Sequence, residues 1–306
     1  MSFTEPRESG PVDFATKVDI SNLAGKSVVI TGGASGLGLA YAKAFVAAGA
    51  FVTIGDFDEV SGEAAGEELS PNAKFVKCDI REWGDQVALF ETAVSASPSK
   101  GVDVVIANAG IIGDDDDMVT LQDPSGPPLK PDLRFLDTNL TGTMYTVKLA
   151  VHYLRRNRSD ENGPAPDRCL IIKGSLSGYI DLPRYVQYSV SKWAVRSLFR
   201  NLQQTIPAEE RVRINLVAPW FVRTPLFPTE GLDALASRGI KFASVEDCVA
   251  VMLRIASDYT VNGRAIGVFP REQVSVGYMD LELDDYPNGV EFLKKFQDRV
   301  LVATDT

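Results

Sequence analysis

Lys26-Ser-Val-Val-Ile-Thr-Gly-Gly-Ala-Ser-Gly-Leu-Gly38 is the stretch on which the fold turns. Its first half is a short run of Val and Ile without polar alternation, the pattern of a strand buried on both faces. Gly32, Gly36 and Gly38 follow at the spacing G-x-x-x-G-x-G, and Leu39 to Ala48 continues with helix formers. A strand running through a glycine turn into a helix aims backbone N–H groups and the positive helix end at one spot, a ready site for a pyrophosphate. Gly36 and Gly38 permit close approach to the backbone, and Ser35 adds a hydroxyl for phosphate. The spacing departs from G-x-G-x-x-G, and alone it is equally compatible with an ordinary strand-to-helix turn.

Six further apolar runs extend this beginning: Phe51–Ile54, Ala73–Val76, Val102–Ala107, Arg168–Ile172, Val212–Val217 and Ala265–Phe269. Stretches rich in Ala and Glu separate the early ones. Short Val/Ile strands alternating with helices predict an α/β fold: one Rossmann-type domain with a doubly wound parallel sheet and helices on both faces. Three segments interrupt the alternation. Residues 113–132 carry the acidic run Asp114–Asp117 and four prolines and read as a surface insertion. The acidic run lacks the alternating ligands and the glycine of a calcium loop. Residues 157–167 read as a polar loop, and 219–240 as a long connection holding Trp220, Phe221, Leu226 and Phe227.

Composition excludes several functions. With 31 basic and 41 acidic residues in 306, the net charge is −10, which disfavours nucleic-acid and anionic-membrane binding. Cys78, Cys169 and Cys248 are odd in number and scattered, so no disulfide framework is expected. One histidine, His152, argues against a His-dependent triad or a multi-His metal site, and no metal is expected. No apolar run approaches the ~20 residues of a membrane span, and the first residues do not resemble a signal peptide. A cytoplasmic location is the expectation.

Asp56 ends the strand after the glycine turn, about 20 residues on, where a carboxylate would accept the ribose hydroxyls of a dinucleotide and repel a 2′-phosphate. No Arg or Lys stands in the turn or directly after Asp56, so NAD is preferred over NADP. A solvated strand-end acid is the plainer alternative.

Together these residues resemble the short-chain dehydrogenase/reductase family over most of Leu23 to Pro270. Thr31-Gly-Gly-Ala-Ser-Gly-Leu-Gly38 is similar to its glycine turn, Cys78-Asp-Ile80 to its adenine-contacting strand end, Asn108-Ala-Gly110 to its N-A-G motif, and Asn139 to its helix-kinking asparagine. Ser175, Tyr188 and Lys192 reproduce the S…Y-x-x-x-K arrangement. The resemblance implies cofactor contacts from Gly32, Ser35, Gly36, Leu37, Gly38, Asp56, Phe57, Asp79, Ile80, Asn108, Ala109, Gly110, Tyr188, Lys192, Pro219, Val222 and Thr224. It also implies a homodimer or homotetramer, with Leu140–Tyr153 and Trp193–Thr205 as candidate faces. The implied domain runs over 23–271, with an N-terminal tail at 1–22, a substrate lid at 219–240 and a C-terminal extension at 272–306.

The chemistry accounts for these residue types. A phenol with its ordinary pKa of ~10 is a poor base near neutrality. On a helix Tyr188 and Lys192 share a face, so an ammonium and a positive nicotinamide would favour the phenolate. Ser175 would donate to the substrate oxygen. The family assigns Asn139 to a water-mediated proton relay through Lys192. Plainer readings remain: a surface Tyr–Lys pair, a strand-end serine cap, and an asparagine with purely structural bonds.

Leu176, Ser177, Tyr179, Tyr185, Trp220, Phe221, Leu226 and Phe227 are the candidate substrate-lining residues, a mainly apolar set suited to a bulky alcohol or ketone. Pro219-Trp220 replaces the family's usual Pro-Gly, and Gly174 a frequent serine. Pro219-Trp-Phe-Val-Arg-Thr-Pro225, Asn262-Gly-Arg264 and the acidic C-terminal stretch resemble a 15-hydroxyprostaglandin dehydrogenase-like branch with fungal 5′-hydroxyaverantin dehydrogenases. That resemblance implies NAD-dependent oxidation of a secondary alcohol on a specialised metabolite such as a polyketide or terpenoid. A ketoreductase running in reverse and a non-redox NAD-binding scaffold are the alternatives.

Overall fold

The computed structural model describes residues 9–113, 118, 125–156, 167–206 and 212–281. The Asp114–Asp117 run, nearly all of the polar loop and the stretch from 282 to 306 lie outside them. Seven strands run parallel: β1 (Ser27–Thr31), β2 (Phe51–Asp56), β3 (Ala73–Lys77), β4 (Val104–Ala107), β5 (Arg168–Lys173), β6 (Val212–Pro219) and β7 (Ala265–Val268). A short β8 (Tyr278–Asp280) pairs antiparallel to β7, and the sheet order is β3-β2-β1-β4-β5-β6-β7-β8.

The expected doubly wound sheet is therefore present, and its central strands are apolar because both faces are covered. Every residue of β1, β4, β6 and β7 is buried, whereas the edge strand β3 is half exposed and carries Lys74 and Lys77. The helices are α1 (Gly36–Ala47), α2 (Glu59–Glu68), α3 (Trp83–Ala96), the single turn α4 (Arg134–Leu136), α5 (Thr143–Arg156), α6 (Val186–Thr205), α7 (Thr229–Ser237) and α8 (Val245–Ser257). α1 packs against α8 on one face of the sheet, and α3 packs against α5 on the other.

Sequence reading missed two elements. β8 has only three residues, too few for a period to register. α7 lies inside the expected 219–240 connection; it is nine residues long and contains Gly231, which weakens its helical signature. Residues from Ser9 onward pack beside β7 and β8. Arg254 donates to the carbonyls of Asp13 and Thr16, Arg264 pairs with Asp280 at 2.9 Å, and Phe14 meets Tyr278 edge-on at 4.9 Å. No helix among the described residues is long and apolar enough to cross a membrane.

Parallel pairing in register brings the strand ends to one edge. Thr31 pairs with Gly55, Asp56 with Lys77, Ala107 with Ile172, Lys173 with Val217 and Pro219 with Val268. Strand order reverses between β1 and β4, so a crevice opens outside their carboxyl ends.

Candidate active site

The glycine turn forms one wall of that crevice. Gly32 and Gly36 have φ of +63° and +51°, which side chains rarely adopt. A Cβ on Gly38 would stand 1.9 Å from the Gly32 carbonyl oxygen, and one on Gly36 would press on Thr224 across the cleft. Ser35 occupies the N-cap position of α1, yet its hydroxyl makes no capping bond. The helix therefore offers its first N–H groups, and that hydroxyl, to the cleft. Thr31 Oγ1 accepts from the N–H groups of Asn108 (3.1 Å) and Ala109 (3.2 Å), while Asn108 Nδ2 donates to the carbonyls of Thr31 (2.9 Å) and Gly32 (2.8 Å). The Asn108-Ala-Gly110 motif is thus the clasp holding the glycine turn to β4.

Asp56 stands at the cleft rim, where one carboxylate oxygen accepts from the Ala34 N–H at 2.9 Å and the other from Asp58 N–H at 3.1 Å. Each oxygen keeps acceptor capacity for a ribose hydroxyl. Asp79 lines the same cleft, but its carboxylate is engaged by the Arg81 guanidinium, with Nη2–Oδ2 at 2.6 Å. That guanidinium holds Asp79 below the usual carboxylate range. Arg81 and Arg134, both cleft-lining, were not foreseen, because neither stands in the glycine turn or directly after Asp56. The cleft of about 460 Å³ brings together thirteen of the seventeen expected cofactor residues: Gly32, Ser35, Gly36, Leu37, Gly38, Asp56, Phe57, Asp79, Ile80, Asn108, Ala109, Gly110 and Thr224. Tyr188, Pro219 and Val222 line an adjoining chamber instead, together with Thr224.

Ser175 and Tyr188 line that chamber, whereas Lys192, the remaining expected cofactor residue, lines neither space and lies buried beside Tyr188. Ser175 caps the tight turn Leu176–Gly178 after β5, accepting from Ser177 N–H at 3.2 Å, and its hydroxyl lies close enough to the Tyr188 phenol to favour the ionised form. Tyr188 and Lys192 lie one turn apart on α6, with Lys192 Nζ 5.5 Å from the Tyr188 ring centre. Lys192 is only 4% exposed and donates to the Lys173 carbonyl at 3.3 Å. The expectation of a phenol acidified by Lys192 counts on a positive nicotinamide beside the ammonium; the protein's own groups alone do not lower it. Burial is the larger influence and raises the Tyr188 pKa, opposed by the Ser175 hydroxyl. Lys192 is itself lowered to about 7, first by burial and then by the nearby charge of Lys173.

Asn139 lies in a π-helical turn, Asp137–Gly142, between α4 and α5. Its amide is used at both ends: Oδ1 accepts from Ile111 N–H and Nδ2 donates to Ile111 O, both at 2.8 Å. Gly110 faces Asn139 Oδ1 and Lys192 Nζ, where a Cβ would come within 3.1 and 3.7 Å. The π-helical turn interrupts the α-helical pattern here, and the Asn139 amide ties the segment after β4 to α6 through Ser191.

The substrate-facing space has two parts. An inner chamber of about 60 Å³ is lined by Ser175, Leu176, Ser177, Tyr188, Trp220, Phe221, Leu226 and Phe227. An outer chamber of about 540 Å³ shares Ile112, Leu182, Phe221 and Phe227 with it and adds Tyr185, Arg184 and α7 residues. Trp220 is fixed as a wall by donating Nε1–H to the Lys241 carbonyl at 2.9 Å. The Ser177 hydroxyl is buried without a hydrogen-bond partner among the described residues. Tyr179 needs correction: it lines neither chamber, because its ring lies under the Arg196 guanidinium, 4.0 Å from the centroid. Gly174 is small for packing, since a Cβ there would meet Leu216 at 2.9 Å. Ile112, Leu182 and Lys173 were not foreseen; only Lys173, a charge ending an apolar strand, left a sequence signal. Among the described residues no group of three or more His, Cys, Asp or Glu is placed to hold a metal ion.

Comparison with known proteins agrees with this architecture. The family model described as short chain dehydrogenase matches residues 26–233. A 5′-hydroxyaverantin dehydrogenase of Dothistroma septosporum is 39% identical over 295 residues, covering 90% of this chain and 92% of the relative. An NADP-dependent dehydrogenase of a Phoma species is 30% identical, covering 91% and 85%. Among solved structures, a 3-ketoacyl-(acyl-carrier-protein) reductase from Brucella melitensis complexed with NADH aligns with a TM-score of 0.68 over 80% of this chain and 97% of that one. At 24% identity that likeness is one of fold. A glycine turn clasped by Asn108, a serine, tyrosine and lysine at the strand edge, and a family match over two thirds of its length carry one conclusion: the chain is an oxidoreductase of the short chain dehydrogenase family.

Proposed function

We propose that the protein is an NAD-dependent dehydrogenase that oxidises a secondary alcohol on a bulky apolar or aromatic specialised metabolite, a polyketide or terpenoid, to the ketone. The observation carrying this reading is the position of Ser175 and Tyr188 in the apolar chamber adjoining the glycine-walled cleft, with Lys192 buried one turn along α6 from Tyr188. The cleft residues fit a dinucleotide. Gly36 and Gly38 leave a cradle that a side chain would fill, the α1 N-terminus is uncapped, and the buried Asn108 Oδ1 has no hydrogen-bond partner among the described residues. When bound, the nicotinamide supplies the hydride acceptor. Ser175 donates to the substrate oxygen and orients it, and Tyr188 takes the hydroxyl proton. Lys192 holds the ribose and stabilises the phenolate, with Asn139 positioning the relay behind it.

Asp56 supports NAD over NADP, because a 2′-phosphate beside its carboxylate would meet like charge while Arg81 is already neutralised by Asp79. The small inner and large outer chambers support a substrate whose carbinol carbon reaches inward while a bulky body lies against Phe221 and Phe227. The name of the Dothistroma relative supports the same substrate class. Exposed Met144 on α5 and Val190 and Trp193 on α6 support a homodimer or homotetramer. Three buried, unpaired cysteines support a reducing, cytoplasmic setting.

The test is a panel of secondary alcohols with NAD and NADP, followed by NADH absorbance, for the wild type and Tyr188→Phe. Turnover with NAD that Tyr188→Phe abolishes, while cofactor binding persists, is the expected result. Strong NADPH-dependent ketone reduction would overturn the direction and the role of Asp56. Turnover that survives Tyr188→Phe would overturn the mechanism.

A further inference from the structure

Lys173 is the one charged residue of β5's carboxyl end, and the mechanism above leaves its side chain without a task. Along β5 the Cys169 thiol points toward α8, where it meets the Ile255 carbonyl; Lys173, four residues on, projects to that same face. It lines both the dinucleotide cleft and the inner chamber, in company with Leu37 of the glycine turn and Thr224. Its main-chain carbonyl receives the Lys192 ammonium from the opposite side of the sheet. Two lysines thus flank one strand end, one from each face.

The surroundings give the Lys173 ammonium no counter-charge. Among the described residues it makes no hydrogen bond or ion pair through Nζ. The titratable groups facing it are Cys248 of α8, which lies beside buried Tyr41 of α1, and Lys192 of α6. Both thiol and phenol are held in their neutral forms by burial. A cation with no protein anion beside it, opening on a cavity, acts on whatever charge enters that cavity.

We propose that Lys173 is a specificity-determining cation that makes the site favour the uncharged reduced nicotinamide over the positively charged oxidised one, and thereby biases the bound reaction toward ketone. The overall equilibrium is untouched; only the balance between the two enzyme-bound states moves. This inference rests on the dinucleotide reading of the cleft. The Lys192 ammonium alone does part of the same work, so the contribution of Lys173 is what remains when its charge is removed.

The experiment titrates the wild type, Lys173→Met and Lys173→Arg with NADH and separately with NAD, following tryptophan fluorescence or heat, at pH values from 6.5 to 9.5. The wild type is expected to bind NADH more tightly than NAD, by a ratio that falls as pH rises and Lys173, lowered to about 8 by burial, loses its proton. Lys173→Met should shrink the ratio at pH 6.5 by about tenfold and remove the part of the pH dependence centred near 8, leaving the part that belongs to Lys192; Lys173→Arg, which does not titrate in this range, keeps the ratio but also lacks the step near 8. Lys173→Gln repeats the neutral arm should the Met variant fold poorly. A ratio unchanged in both neutral variants, with the wild type binding both cofactors, overturns the proposal alone. A wild type that binds neither cofactor overturns the dinucleotide reading and this inference together.

Discussion

Replacing Gly38 by alanine tests the clasp on which the nucleotide cleft depends. The new methyl would lie 1.9 Å from the Gly32 carbonyl oxygen and 2.7 Å from Asn108 Nδ2. An unstrained carbon–oxygen contact is over a full ångström longer, and both neighbours are backbone or tied to it, so neither can rotate away. Overpacking of this kind costs about 1–3 kcal/mol. Displacing the two Asn108 bonds to Thr31 and Gly32 adds about 1 kcal/mol each. The total, about 3–5 kcal/mol, is a large part of an ordinary domain's stability of about 5–15 kcal/mol, so the variant should fold but with a much lower urea midpoint. A misplacement near 1 Å of a turn that positions the reacting groups costs about a hundredfold in rate, and NADH fluorescence titration would read the accompanying loss of affinity. Gly84, in the first turn of α3, is the control: nothing lies within 4 Å of its would-be Cβ, and Gly84→Ala should stabilise by about 0.4–1 kcal/mol with cofactor affinity unchanged. A Gly38→Ala protein that binds NADH within twofold of wild type would refute the idea that the Gly32–Asn108–Gly38 contact shapes the site.

Lys173→Met should also raise the stability of the cofactor-free protein at pH 7. Burial lowers the folded value to about 8 against an ordinary 10.5, so the folded state gives up the proton first. Wild-type stability therefore rises between pH 8 and 10.5 from this group, and its deficit is complete below pH 8; urea midpoints at pH 7 and 10 should show a gain of about 1–3 kcal/mol at the lower pH only. Asp167→Ala should destabilise by about 3 kcal/mol: it strips the carboxylate, at 2.6 and 2.9 Å, from the Arg213 guanidinium, whose side chain is 7% exposed, although the carbonyls of Ile255 and Val261 still hold that cation. Denaturant unfolding checks it, and a loss under 1 kcal/mol would mean those carbonyls suffice. Phe227→Ala removes a wall common to both chambers and should raise KM for a polycyclic alcohol about tenfold, with little change for a four-carbon alcohol. Equal losses for both would place the bulk of the substrate elsewhere.

Periodicity and spacing were enough for the sheet, the glycine turn and an acid at Asp56, while the serine, tyrosine and lysine were singled out by the resemblance to the short-chain dehydrogenases. Each depends on short-range order: a strand's apolar run, a turn that only glycine can make, two side chains four residues apart on one helix. β8 and α7 were not legible, being too short for their period to stand out from loop sequence. Tyr179 was misread for a related reason. It follows the Ser175 turn closely in sequence, but the side of that turn on which its ring lies is decided by Arg196, eight residues beyond Tyr188 on α6.

From the sequence alone came the chain's direction through the fold and the identity of the chemical groups. Tertiary structure alone decided their charges and company. Whether a tyrosine hydroxyl sits above or below its ordinary pKa depends on how much water reaches it, and here burial raises it. Whether Arg81 is free to meet a phosphate depends on Asp79, which takes it. Whether two lysines nineteen positions apart share a field depends on α6 carrying the Lys192 side chain to the end of β5. Electrostatic energies fall with distance and rise with exclusion of solvent, and both quantities exist only once the strand ends have been gathered to a single edge.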